Sequence, residues 1–133
     1  MSKNYKVAIV GATGLVGRTI LRVLEEKNLY NITYTLFSSK KSAGNIVKFF
    51  GKNYIVQELN ENSFDSGFNF AIFSAGGSVS EKFAPIAASK GCIVIDNSST
   101  FRMNKDVPLV VPEVNPEKIF ENKGIISKRI RKT

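Results

Sequence analysis

Apolar positions along the chain alternate between two periods. Tyr5 to Val10 (YKVAIV) is a short, β-rich apolar run that meets glycine at Gly11, and from Leu15 to Lys27 apolar residues recur at Val16, Ile20, Val23 and Leu24 with helical spacing. The pattern predicts a strand, a turn and a helix. Asn31 to Phe37 (NITYTLF) predicts a second strand, and Ile46 to Phe50 and Tyr54 to Val56, with Gly51 between them, predict a hairpin excursion. Phe70 to Ser74 (FAIFS) reads as a buried strand. Gly76-Gly77 follows, then a helix from about Ser80 to Lys90 that Pro85 is expected to kink, with Gly91 as its stop. Cys92 to Asp96 and Leu109 to Val111 are further apolar strands, and Asn115-Pro116 opens a short helix that Gly124 closes. Fully apolar strands alternating with helices imply a parallel sheet covered on both faces, so the fold class is α/β: a doubly wound, Rossmann-like single domain.

Length and composition narrow this picture. The 133 residues are enough for one core and too few for two. No apolar run approaches a bilayer span, and MSKNYK leads straight into a strand, not a signal-peptide core, so a cytoplasmic location without membrane partners is expected. A single cysteine, Cys92, cannot form an internal disulfide, and the absence of histidine removes the commonest metal ligand and general base. No metal site is expected. The net charge of +8 suggests nucleic acid, but Lys128, Arg129, Arg131 and Lys132 supply four of those charges and leave +4 for the rest. The basicity is largely a property of the end of the chain, which divides into a domain over 1–127 and a basic tail over 128–133.

The strongest chemical signal is VAIVGATGLVG, with Gly11, Gly14 and Gly17 between a strand pattern and a helix pattern. Gly11 permits the sharp turn, Gly14 lets phosphate oxygens approach backbone N–H groups, and Gly17 lets the helix lie close to the sheet. The G-x-x-G-x-x-G spacing departs from the usual dinucleotide fingerprint, and a tight structural turn is the alternative reading. A reader of a ribose 2′-hydroxyl would be an acidic residue about 20 positions further on. The chain offers LFSSKKSAG there instead: Ser38, Ser39 and Ser42 as hydroxyl donors and Lys40 and Lys41 as cations, a set that suits a 2′-phosphate. NADP is therefore expected over NAD, against the plainer reading of a solvated lysine loop.

GATGLVG, SSKKSAG, FSAGGSVSEKFAP, DNSSTFRM and VPLVVPEVN, in this order and at these intervals, resemble the N-terminal domain of aspartate-semialdehyde dehydrogenase from about Lys6 to Ser127. The resemblance implies reversible, NADP-dependent reduction of aspartyl phosphate to aspartate semialdehyde with release of phosphate, in lysine, threonine and methionine biosynthesis. It implies that Thr13, Gly14, Leu15 and Val16 hold the pyrophosphate, that Lys41 and Ser42 stand for an Arg-Ser pair at the 2′-phosphate, that Ser74, Ala75 and Gly76 line the cofactor with Asn97 near it, and that Arg102 binds the substrate's phosphate. A homo-oligomeric enzyme acting on a small molecule is the corresponding expectation.

Members of that family continue past a strand like GIIS into a loop that carries a nucleophilic cysteine. Here Arg131 falls at that position, and the histidine acid/base is lacking. The expectation is a truncated, catalytically incomplete enzyme with no catalytic residue of its own and SKRIRKT as a divergent or frame-shifted end. Cys92 is expected to be a buried small hydrophobe. Two alternatives stay open: a non-enzymatic NADP-sensing module whose basic tail reaches nucleic acid, and a fragment of N-acetyl-glutamyl-phosphate reductase, which SSKKSAG and FSAGGSVSEKFAP argue against.

Overall fold

The computed structural model describes residues 4–29, 31–97, 109–110 and 125–128, the last two segments as backbone. Strand β1 (Tyr5–Val10) leads into helix α1 (Leu15–Lys27) and strand β2 (Ile32–Ser38); a hairpin of β3 (Ile46–Phe49) and β4 (Lys52–Ile55) and the two-residue β5 (Gln57–Glu58) follow. Strand β6 (Phe70–Phe73), helix α2 (Gly77–Ser89) and strands β7 (Ile93–Asp96), β8 (Leu109–Val110) and β9 (Ile125–Lys128) complete the described elements. Seven of these strands form one sheet in the order β5-β2-β1-β6-β7-β9-β8, and its pairings are parallel. The result is the doubly wound α/β architecture that the alternation of patterns predicts.

Each central strand feeds two cores because successive side chains leave opposite faces. Ala8 and Val10 join a cluster with Ala84 and Ala87 of α2, whereas Val7 and Ile9 join another with Leu21 of α1 and Phe49 of the hairpin. A strand buried on both sides has no polar face to show, which is why VAIV, the buried part of β1, is a continuous apolar run.

The hairpin is closed by Phe50 and Gly51, with φ of 53° and 71°, the left-handed pair that a tight two-residue turn requires. Phe50 holds this conformation at some cost. Its N–H donates to Glu25 Oε2 at 2.8 Å, and its ring stacks on Tyr34 with centroids 5.9 Å apart. Tyr34 is buried, and its hydroxyl oxygen has no hydrogen-bond partner among the described residues. Burial, with Tyr54 adding to it, raises the Tyr34 pKa. An unsatisfied buried hydroxyl costs about 1–3 kcal/mol, so Tyr34→Phe is expected to raise stability by roughly 1 kcal/mol. A denaturant midpoint below wild type would contradict this.

Several boundaries differ from the sequence reading for tertiary reasons. Strand β2 extends to Ser38 because β5, too short to register as a pattern, pairs with it. Strand β4 starts at Lys52, immediately after the turn, and ends at Ile55. Helix α2 begins at Gly77, three residues early, and runs through Pro85 to Ser89. Cys92 precedes β7, which begins at Ile93. Strand β9 takes Lys128 into the sheet opposite Val110, one residue inside the expected tail. The helix expected at Asn115-Pro116 lies outside the described residues.

Candidate cofactor site

The chain leaves β1 toward β2 on one side and later returns to place β6 on the other. Open α/β sheets bind ligands at such a reversal, beyond the carboxyl ends of the strands. Here that point is built from backbone. Gly11 has φ +88°, and a Cβ on it would stand 2.8 Å from the Ser74 carbonyl carbon and 2.9 Å from the Ala75 nitrogen. A Cβ on Gly17 would meet the Gly11 carbonyl oxygen at 2.0 Å, so only glycine lets α1 approach the loop this closely. Gly14 differs: its φ is −76°, and its Cβ would lie at an ordinary 3.7 Å from Gly11 O. The fold requires glycine at 11 and 17 and does not require it at 14.

Polar side chains lock this turn in place. The Ser74 hydroxyl donates to the Val10 carbonyl at 3.1 Å while its N–H bonds the same oxygen at 2.8 Å, tying β6 to the end of β1. The Thr13 and Ser38 hydroxyls meet at 3.0 Å, tying the glycine loop to the end of β2. Gly14 is the N-cap of helix α1 and offers no side-chain cap, and the N–H groups of Leu15 and Val16 have no acceptor among the described residues. They present the positive end of the helix to an incoming anion.

A cleft of about 530 Å³ opens over this turn, within the range of small-molecule sites. Gly11, Thr13 and Gly14 form its floor; Ser38, Ser39, Lys40 and Ser42 form one rim; and Ser74 and Ala75 close the β6 side. Leu59, Val79 and Phe83 add an apolar wall and Glu58 a carboxylate, four residues that the sequence reading does not single out. Val79 and Phe83 stand four apart on α2, a spacing that could have flagged them as one helix face. Glu58 gives no local signal, because strand pairing brings it there.

The remaining expected site residues fall around the cleft. Gly17 is buried beneath the loop, and Leu15 and Val16 are 85% and 45% exposed on the first turn of α1. Lys41 is exposed in the turn after β2 but does not line the cleft, whereas its neighbour Lys40 does. Gly76, φ +94°, is the N-cap of α2. Asn97 follows β7, and its N–H donates to the Phe73 carbonyl at 3.0 Å. Arg102 lies outside the described residues. Ser80 donates to Asp96 Oδ1 at 2.8 Å with both residues fully buried, pinning the first turn of α2 to the end of β7. Cys92 is 1% exposed in the core, and burial pushes its thiol up to about 12.

Comparison with known proteins agrees with this geometry. The family described as semialdehyde dehydrogenase, NAD binding domain, matches residues 6–122. The chain belongs to this family. Among curated members, the aspartate-semialdehyde dehydrogenase of Aquifex aeolicus is 57% identical over 127 residues, covering 93% of this chain and 37% of the relative. That of Bacillus subtilis is 53% identical over 127 residues, covering 96% and 36%. The crystal structure of aspartate semialdehyde dehydrogenase II from Vibrio cholerae, complexed with ASA, superposes with a TM-score of 0.86 at 48% identity, over 95% of this chain and 42% of that one. This semialdehyde dehydrogenase domain thus spans a little over a third of the length of the curated relatives it matches. Among the described residues, no helix is long and apolar enough to cross a membrane, and no cluster of potential metal ligands occurs.

Proposed function

We propose that this chain carries the NADP site of an aspartate-semialdehyde dehydrogenase, a cytoplasmic, oligomeric enzyme that reversibly reduces aspartyl phosphate to aspartate semialdehyde and phosphate. The observation that carries the cofactor reading is the cleft itself. An uncapped helix N-terminus stands over a glycine that the fold does not need. Serines and a lysine form the rim where a ribose would lie. The reaction rests on the 53–57% identity to enzymes of that name over most of this chain.

When bound, the nicotinamide accepts or delivers the hydride. In this reading the N–H groups of Leu15 and Val16, beside Thr13 and Gly14, hold the pyrophosphate. Ser39, Lys40 and Ser42 hold the 2′-phosphate, with Lys41 contributing charge from the adjacent position. Ala75, Gly76 and Asn97 flank the path toward the nicotinamide, Ser74 fixes that wall, and Arg102 receives the substrate's phosphate. The domain extends through Lys128, the last residue of β9, and the basic tail is assigned to residues 129–133.

Charge-assisted contacts are worth more than neutral ones, so NADP is expected to bind more tightly than NAD by about 1–3 kcal/mol. Calorimetric titration with both cofactors measures the difference. Lys40→Glu is expected to erase it, and Lys41→Glu to reduce it less. Equal affinities in the wild-type chain would sink the reading.

A further inference from the structure

The turn after β2 lacks a carboxylate, yet the sheet places one a strand away. Strand β5 pairs in parallel with β2, Ser38 opposite Glu58, and the Leu59 N–H donates to the Ser38 carbonyl at 2.8 Å. Neighbouring strands lie about 4.8 Å apart. Glu58 therefore stands beside the residue that ends β2, the position from which an acidic side chain ordinarily reads a ribose 2′-hydroxyl. It lines the same cleft as Ser38, Ser39 and Lys40. It is exposed, and no ion pair engages it among the described residues.

We propose that Glu58 is a specificity-determining residue of this cleft, one that accepts the ribose 2′-hydroxyl of NAD and opposes the 2′-phosphate of NADP. Lys40 and the serines attract the phosphate while Glu58 subtracts from that attraction. The cleft therefore admits both dinucleotides, and the carboxylate sets how far it prefers NADP. This rests on the cleft being the dinucleotide site.

Removing the charge takes away a repulsion felt by one cofactor and an acceptor used by the other. Glu58→Gln is accordingly expected to shift the ratio of NAD to NADP dissociation constants about tenfold toward NADP, equivalent to about 1.4 kcal/mol. Glu58→Asp retains the charge and is expected to stay near the wild-type ratio. Because the opposing charges are exposed, added salt screens them, and the shift is expected to shrink between low and high ionic strength.

The experiment titrates NAD and NADP into the wild-type chain and both variants at two salt concentrations, with melting curves to verify folding. A salt-sensitive gain in the ratio for Glu58→Gln, absent in Glu58→Asp, supports the proposal. An unchanged ratio in folded Glu58→Gln, or equal loss of both cofactors, overturns it while leaving the cofactor site standing. Failure of the wild-type chain to bind either dinucleotide removes the cofactor reading and this proposal with it.

Discussion

Gly17→Ala is expected to unfold the domain under conditions where Gly14→Ala leaves it folded. The methyl group at position 17 would sit 2.0 Å from the Gly11 carbonyl oxygen, with the Gly11 carbonyl carbon and the Ala12 Cα at 2.9 and 3.0 Å. All three atoms are backbone, so no side chain can swing aside, and relief requires α1 to leave the sheet. Leu21 of α1 packs against Val7 and Ile9 in the core, so such a shift also opens that cluster. The cost falls in the exceptional range of about 4–5 kcal/mol or more, against a total stability of about 5–15 kcal/mol for a domain. At position 14 the methyl group meets nothing closer than 3.7 Å, and the backbone there is already extended. Its effect is expected to fall on dinucleotide affinity, because the methyl group would occupy the approach to the N–H groups of Leu15 and Val16. Urea unfolding and NADP titration of both variants separate the two roles. A Gly17→Ala chain as stable as wild type, or a Gly14→Ala chain that binds NADP undiminished, would refute this division.

The purified chain is expected to bind NADP and to form no detectable NADPH from aspartate semialdehyde and phosphate. Attack on an aldehyde carbon by sulfur needs a thiolate, and the one cysteine of the chain is Cys92, 1% exposed, with its pKa pushed up to about 12 by desolvation. The chain has no histidine to move the proton. Binding without chemistry is the result, since equal stabilisation of ground and transition states does not raise the rate of the chemical step. Turnover by this chain that disappears in Cys92→Ala would overturn the prediction.

The same thiol makes a pH signature. Below pH 9 it is protonated in both folded and unfolded chains; between about 9 and about 12 the unfolded chain releases the proton and the folded one retains it. The folded state then binds more protons, so stability falls as pH rises through that window, by up to about 1.4 kcal/mol per unit. The raised pKa of Tyr34 acts in the same direction. Denaturant midpoints from pH 8 to 11, compared with Cys92→Ala, measure the share of the thiol.

Much of the fold and part of the site can be read along the chain. The bounds of β1 and α1, the turn at Gly51 and the stop at Gly91 follow from local causes: apolar period, and glycine where φ must be positive. The glycine loop and the serine and lysine turn are legible for the same reason, each being a contiguous stretch whose chemistry travels with its sequence. The tertiary structure decided what contiguity does not encode. Which of Lys40 and Lys41 lines the cleft depends on how the turn after β2 is held, by the Thr13–Ser38 contact and by pairing with β5. The family resemblance implies that Ser74 lines the cofactor; the fold keeps it on the cleft and in addition bonds its hydroxyl to the Val10 carbonyl. It likewise couples Ser80 to Asp96 across sixteen residues. Glu58 reaches the cleft through a two-residue strand whose register with Ser38 is a long-range choice. Periodicity and backbone preference act within a few residues, whereas register and side-chain partnership are settled by the packing of the whole sheet, and that packing is what placed a carboxylate beside a site whose own sequence carries none.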